Sequence, residues 1–199
     1  MTIVTGLFDD YDDARAAVNA LEDAGVASSD ISIVRRGSAG DGESNAGEGA
    51  AAGAGVGAVV GGAGGLLAGL GMLAIPGVGP VVAAGWLAAT AAGAAAGAVA
   101  GGAAGGIIGS MTGAGVSEED AHVYAEGVRR GGTLVTVQAE ESQTDLVRSI
   151  LDDNTPVDVN ARRAMYREEG WQGFDERNPD LTEEELVRER ERAREYRPL

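Results

Sequence analysis

Ile75-Pro-Gly-Val-Gly-Pro80, followed by Val81-Val-Ala-Ala-Gly85, lies near the middle of a stretch without a charged residue from Gly49 to Ser117. Proline and glycine at this density punctuate any helix, so the segment divides the uncharged stretch into two arms. Glycines recur every four residues in each arm: Gly53, Gly57, Gly61, Gly65 and Gly69 in the first, and Gly93, Gly97, Gly101, Gly105, Gly109 and Gly113 in the second. Four residues slightly exceed one helical turn, so each series lines a smooth stripe along which another backbone can approach closely. The reading is a Gly/Ala-rich helical hairpin over 49–116, with helix packing and oligomerisation assigned to the eleven glycines.

Glycine inside a helix costs about 1 kcal/mol relative to alanine, so such arms need a packing partner. A four-residue repeat drifts about 40° per step around a helix, which takes six successive glycines past what one straight neighbour covers. Contacts with more than one helix follow, hence a homo-oligomer. Each arm is long enough at about 1.5 Å per residue to span about 30 Å of hydrocarbon. Val56, Val59, Val60, Leu66, Leu67, Leu70, Met72, Leu73 and Ile75 make the first arm a marginal transmembrane helix, and the second is weaker. Arg35 and Arg36 before the hairpin and Arg129 and Arg130 after it carry positive charge, whereas the Ile75–Pro80 turn has none. A transmembrane pair with both termini cytoplasmic is expected, Trp86 serving as an interfacial anchor or in core packing. The alternative is a cytoplasmic, soluble multichain bundle.

The flanks read as an α/β domain split by the insertion, 1–36 and 117–160. Thr2–Phe8 alternates as a strand, Asp10 with Asp13 opens a helix through Ala24, and Ile31-Ser-Ile-Val34 is a second strand. Beyond the insertion, Ser117-Glu-Glu-Asp120 caps a helix to about Arg130. Thr133-Leu-Val-Thr-Val-Gln138 is a strand, Ser142 with Asp145 opens a helix carrying Leu146, Ile150 and Leu151, and Val157-Asp-Val159 is a short last strand. The order β-α-β-(α)-β-α-β predicts an α+β, ferredoxin-like sandwich. Residues 37–48 form an acidic linker and 161–199 a charged tail, in which Thr182-Glu-Glu-Glu185 caps an exposed, solvated terminal helix.

Composition excludes several functions. The formal charge is −16, from 31 acidic residues against 15 arginines with no lysine, which disfavours nucleic acid as a partner. Lysine Schiff bases and the usual phosphate-binding loop are excluded as well. Cysteine is absent, which removes disulfides, thiol catalysis and cysteine metal sites. Met1 to Phe8 lacks the basic and apolar regions of a cleavable signal peptide, so none is expected.

Gly53-Ala-Gly55-Val-Gly-Ala58 matches a dinucleotide-binding pattern formally, but the nearest strand ends too far upstream. Asp41, Glu43 and Asn45 begin like a calcium loop, yet Ala46 and Ala52 occupy the turn-glycine and closing-glutamate positions. Asp9, Asp10, Asp12 and Asp13 are assigned to capping and charge at a helix N-terminus. His122, the only histidine, cannot build a multi-histidine metal site. No catalytic residue, metal, cofactor or small-molecule substrate is assigned.

Thr5-Gly-Leu-Phe8, Ile31-Ser-Ile-Val34, the repeated Gly-Ala arms, Ile75–Gly85, and Tyr124–Gly132 leading into Leu134-Val135 together resemble bacterial proteins of the general stress protein 17M-like family, some described as low-temperature-induced. The resemblance covers about residues 1–160. It implies an α/β domain with a glycine-zipper insertion and a non-enzymatic role in stress tolerance. A soluble ligand-sensing or scaffold module is the competing function.

Overall fold

The structure, a computed structural model, describes residues 1–37, 71–75, 79–87, 90, 107–175, 177–179 and 181–196. The described residues form a mixed α+β fold around an antiparallel sheet. The strands are β1 (Thr2–Phe8), β2 (Ile31–Arg36), β3 (Gly71–Ile75), β4 (Gly79–Gly85) and β5 (Thr133–Ala139), in the order β1-β5-β2-β4-β3. The helices are α1 (Tyr11–Asp23), α2 (Ile107–Gly113), α3 (Glu118–Arg129), α4 (Thr144–Asp153), α5 (Val159–Glu168) and α6 (Glu183–Glu195).

Strand alternation sends side chains to two faces, and both are covered. On one, Val4, Phe8, Ile31, Ile33, Val135 and Val137 meet Ala14, Ala17, Val18 and Leu21 of α1 and Val147 and Leu151 of α4. On the other, Leu7, Val34, Val81, Ala83 and Leu134 meet Ile107 and Met111 of α2 and Ala121, Tyr124, Ala125 and Val128 of α3. The apolar period of α1 puts those four residues inside as expected. In α4, Val147 and Leu151 are buried while Leu146 is exposed, a shift of the predicted face.

The hairpin arms require the main correction. Residues 71–75 and 81–85, expected as the facing ends of two helices separated by the Ile75–Pro80 turn, lie in the strands 71–75 and 79–85. β4 pairs antiparallel with β2 from Ser32↔Gly85 to Arg36↔Val81, and β3 pairs with β4 from Gly71↔Ala83 to Ile75↔Gly79. β2 would otherwise present a bare row of backbone donors and acceptors beside a buried strand, and β4 satisfies them. Pro80 falls one residue beyond the β2 register, where its missing N–H breaks no β2–β4 bond. The remainder of both arms lies outside the described residues.

Gly85 ends β4 at a position only glycine fits. Its φ is +90°, and a Cβ there would stand 2.1 Å from the Ile31 carbonyl oxygen. The sheet therefore approaches its own backbone closely as the chain turns toward Trp86.

The expected last strand, Val157-Asp-Val159, is absent as a strand. One backbone bond remains, from Val157 N–H to the Leu7 carbonyl oxygen at 2.7 Å on the outer side of β1. Asp158 then diverts the chain by capping α5, its carboxylate accepting from the N–H groups of Asn160 and Ala161 at 2.8 and 3.0 Å. The Ser117 cap forms as expected, accepting from Asp120 N–H at 3.1 Å. Gln143, rather than Ser142, occupies the cap of α4 and makes no side-chain cap bond.

Gly85→Ala lowers stability by about 2–4 kcal/mol in urea unfolding, combining a left-handed φ with a backbone clash. A loss below 1 kcal/mol contradicts the close β2–β4 approach. Thr136 is fully buried, and its hydroxyl finds no partner among the described residues. Thr136→Val therefore raises stability by about 1 kcal/mol in the same assay, whereas a comparable loss would show that the hydroxyl is satisfied.

Candidate functional site

Of the eleven glycines assigned to helix packing, Gly53, Gly57, Gly61, Gly65, Gly69, Gly93, Gly97, Gly101 and Gly105 lie outside the described residues. Gly109 and Gly113 lie in α2. Gly113 is exposed, with open space where a Cβ would stand, and α2 packs through Ile107, Ser110 and Met111. Close approach through a missing side chain occurs elsewhere, at Gly127 of α3, where a Cβ would lie 2.5 Å from Leu7 Cδ2.

Charge concentrates where α3 ends and the C-terminal helices dock. Glu126 is fully buried, and its carboxylate accepts from Arg129 Nε and Nη2 at 3.0 and 2.7 Å and from Arg130 Nε at 2.6 Å. Helical spacing makes this possible, since residues three and four apart share a face. Arg130 Nη1 also donates to Glu169 at 2.6 Å and Glu189 at 2.7 Å, and its guanidinium lies 4.3 Å from the Tyr166 ring centroid. Burial alone would lower the Arg130 pKa, but its bonds to Glu169, Glu126 and Glu189 raise it overall. Burial pushes the Tyr166 hydroxyl up to about 12, so the ring stays neutral.

The first part of the charged tail packs onto the domain, whereas the terminal helix is mostly exposed as expected. Met165 and Tyr166 of α5 are buried with Val123 of α3, and Trp171 meets Tyr166 edge-on at 5.6 Å. Arg163 pairs with Asp120 and Glu119, and Arg167 with Glu119 at 2.8 Å. His122 accepts at Nδ1 from Phe174 N–H at 3.1 Å, which ties the connector to α3. The capping box of α6 forms in both directions between Thr182 and Glu185, as its sequence predicts.

The aspartates of the β1–α1 junction are divided among arginines. Asp9 accepts from Arg162 at 2.7 Å and Asp10 from Arg194 at 2.9 Å, while Asp12 lies 3.4 Å from Arg15. Asp10 occupies the α1 cap position without a side-chain cap bond, so the capping role assigned to it is replaced by ion pairing. The described residues contain no cluster of histidine and acidic side chains able to hold a metal. Asp41, Glu43, Asn45 and the Gly53–Ala58 pattern lie outside them.

Beside the junction is a polar cleft of about 250 Å³. Asp9, Tyr11 and Asp12 line one wall, Arg35 and Arg36 the end of β2, Thr133 the start of β5, and Glu183, Leu186 and Arg190 the α6 side. The Arg35 guanidinium lies 4.6 Å from the Tyr11 ring centroid. Arg36 donates to the carbonyl oxygens of Arg129 at 3.3 Å and Leu181 at 2.6 Å. The four arginines expected to flank a membrane hairpin thus all make internal contacts. Trp86 packs against the second core cluster.

Among the described residues, no helix is long and apolar enough to cross a membrane. No protein family, curated protein or solved structure matches the chain. Sequence reasoning missed the Glu126 centre, although its spacing to Arg129 and Arg130 on an otherwise apolar helix face was a usable signal.

Glu126→Ala leaves two largely buried guanidinium groups without their shared counter-charge and lowers stability by about 3–5 kcal/mol in urea unfolding. A loss under 1 kcal/mol would show that water or the neighbouring glutamates replace it fully.

Proposed function

We propose that this chain is a non-enzymatic assembly protein of the bacterial stress response, in which an α+β domain holds a glycine-zipper hairpin that oligomerises and associates with a membrane. The observation that carries the reading is where the two glycine series join the sheet. The chain enters β3 at Gly71 and leaves β4 at Gly85, and antiparallel pairing brings these ends to the same end of the strand hairpin. The first series closes at Gly69, just before β3, and the second opens at Gly93, shortly after β4. Neighbouring strands lie about 4.8 Å apart, so two close-packing arms attached there start side by side. A helical hairpin over 49–116 is thereby revised to two glycine-rich arms joined through a strand hairpin.

The ferredoxin-like reading of the domain is supported by the central order β1-β5-β2 and by the Val157 bond on the outer side of β1, where a fourth strand would pair. The helices α2 and α3 on the second face are additions to that plan. The resemblance to general stress proteins of the 17M-like type supplies the stress role, and the length of uncharged sequence supplies the membrane association.

The cleft favours a second reading, a soluble ligand-sensing module, through its facing carboxylates and guanidinium groups. Thermal stabilisation by a metabolite, with all protein in the soluble fraction, would select it over the first.

Gly61→Leu together with Gly101→Leu places bulk on both stripes. The double variant is predicted to form a smaller oligomer than the parent chain in size-exclusion chromatography with light scattering, and to be released from membranes more readily by carbonate washing. Unchanged size and fractionation would overturn the zipper assignment.

A further inference from the structure

We infer that α6 is a clasp that lifts from the domain as one unit and opens the polar cleft, while the sheet and the other helices stay folded. The inference is independent of the proposed assembly role and stands on how α6 is attached.

Every other described helix of more than one turn contributes at least two buried side chains, whereas Leu186 is the only buried residue of α6. Leu186 lies over Gly131, and Val187 beside it is 49% exposed. The remaining attachments are polar. Glu189 pairs with Arg130 at 2.7 Å, Arg192 with Glu169 at 2.7 Å, and Arg194 with Asp10 at 2.9 Å. Leading into the helix, Leu181 and Pro179 give carbonyl oxygens to Arg36 and Arg129. Tyr196, just past α6, packs partly against the Val123, Met165 and Tyr166 cluster.

Both main core clusters close without α6. Neither contains a residue of that helix, so lifting it leaves the sheet faces covered. Arg129 and Arg130 keep Glu126 when Glu189 departs, and no buried charge is stranded. The Arg192–Glu169 and Arg194–Asp10 pairs are solvent-exposed and contribute little each, the Arg130–Glu189 pair is the one mostly buried polar attachment, and a short isolated helix is marginal in water. The free energy of lifting α6 therefore lies well below that of global unfolding, the condition for an independently opening unit.

The cleft is open to solvent beside the exposed Asp10 and Asp12 and is walled on its other side by α6. Glu183, Leu186 and Arg190 form its α6 wall, and Asp9, Tyr11, Arg35, Arg36 and Thr133 belong to parts that stay in place. Removing the α6 wall widens access to those half-buried side chains and uncovers the buried Thr133. A strap held largely by charge along a polar cleft widens that cleft when it lifts.

Hydrogen exchange of the full chain under native conditions tests this. The amides of Leu186–Arg192 are predicted to exchange at least a hundredfold faster than those of Thr133–Ala139 in β5. Leu186→Ala should accelerate the α6 amides at least tenfold further and leave β5 unchanged. Glu189→Gln, which removes the ion pairs to Arg130 and Arg192 and no packing, should act in the same direction if the alanine variant fails to fold. Equal protection of α6 and β5 in the parent chain, or acceleration of both in step in either variant, would show that α6 unfolds only with the whole domain and would overturn the clasp.

Discussion

The antiparallel pairing of β2 with β4 is the constraint on which the rest of the architecture depends. β2 is buried on both faces, and its outer backbone groups need partners that water cannot supply there. A segment from within the uncharged stretch supplies them, and Gly85 permits the approach because it carries no Cβ against the Ile31 carbonyl. Once β4 is seated, the chain after it turns onto the second face, where Leu87, Ile107 and Met111 join α3 in covering the sheet. The same pairing fixes the points from which both glycine series depart. A backbone hydrogen-bonding requirement thus sets where the uncharged stretch joins the sheet.

The second organising element is electrostatic. Glu126 draws Arg129 and Arg130 inward, and Arg130 in turn gathers Glu169 and Glu189 from two separate segments. A chain with net charge −16 has carboxylates to spare, and here its few cations act as cross-links between elements far apart in sequence. Arg162 reaches Asp9 and Arg194 reaches Asp10 in the same manner. Arginine suits this role because its planar fork holds several carboxylates at once.

Much of the domain was legible before any coordinates. The alternation of Thr2–Phe8, the β-branched, apolar run Thr133–Gln138, the apolar face of α1, the Ser117 cap and the Thr182–Glu185 box are local signals, and each formed as read. The strands β3 and β4 were not legible, because short apolar runs bounded by glycine and proline suit a buried helix or a buried strand equally well. The deciding fact, an unpaired edge on β2, exists only in three dimensions. Val157–Val159 read as a strand by alternation, but Asp158 is also a good helix cap, and capping prevailed. The junction was hidden for a related reason. Arg35, Arg36, Arg129 and Arg130 drew attention as charges beside an uncharged segment, whereas their roles are set by carbonyls and carboxylates brought to them by the fold.

The pairing at the root of this account is directly observable in solution. In nuclear Overhauser spectra of the full chain, cross-strand Hα–Hα and amide contacts should connect Ser32–Arg36 with Val81–Gly85 in the register Ser32↔Gly85 to Arg36↔Val81. Sequential amide–amide contacts of helical pattern through residues 71–75 and 79–85, with no contacts to β2, would contradict it.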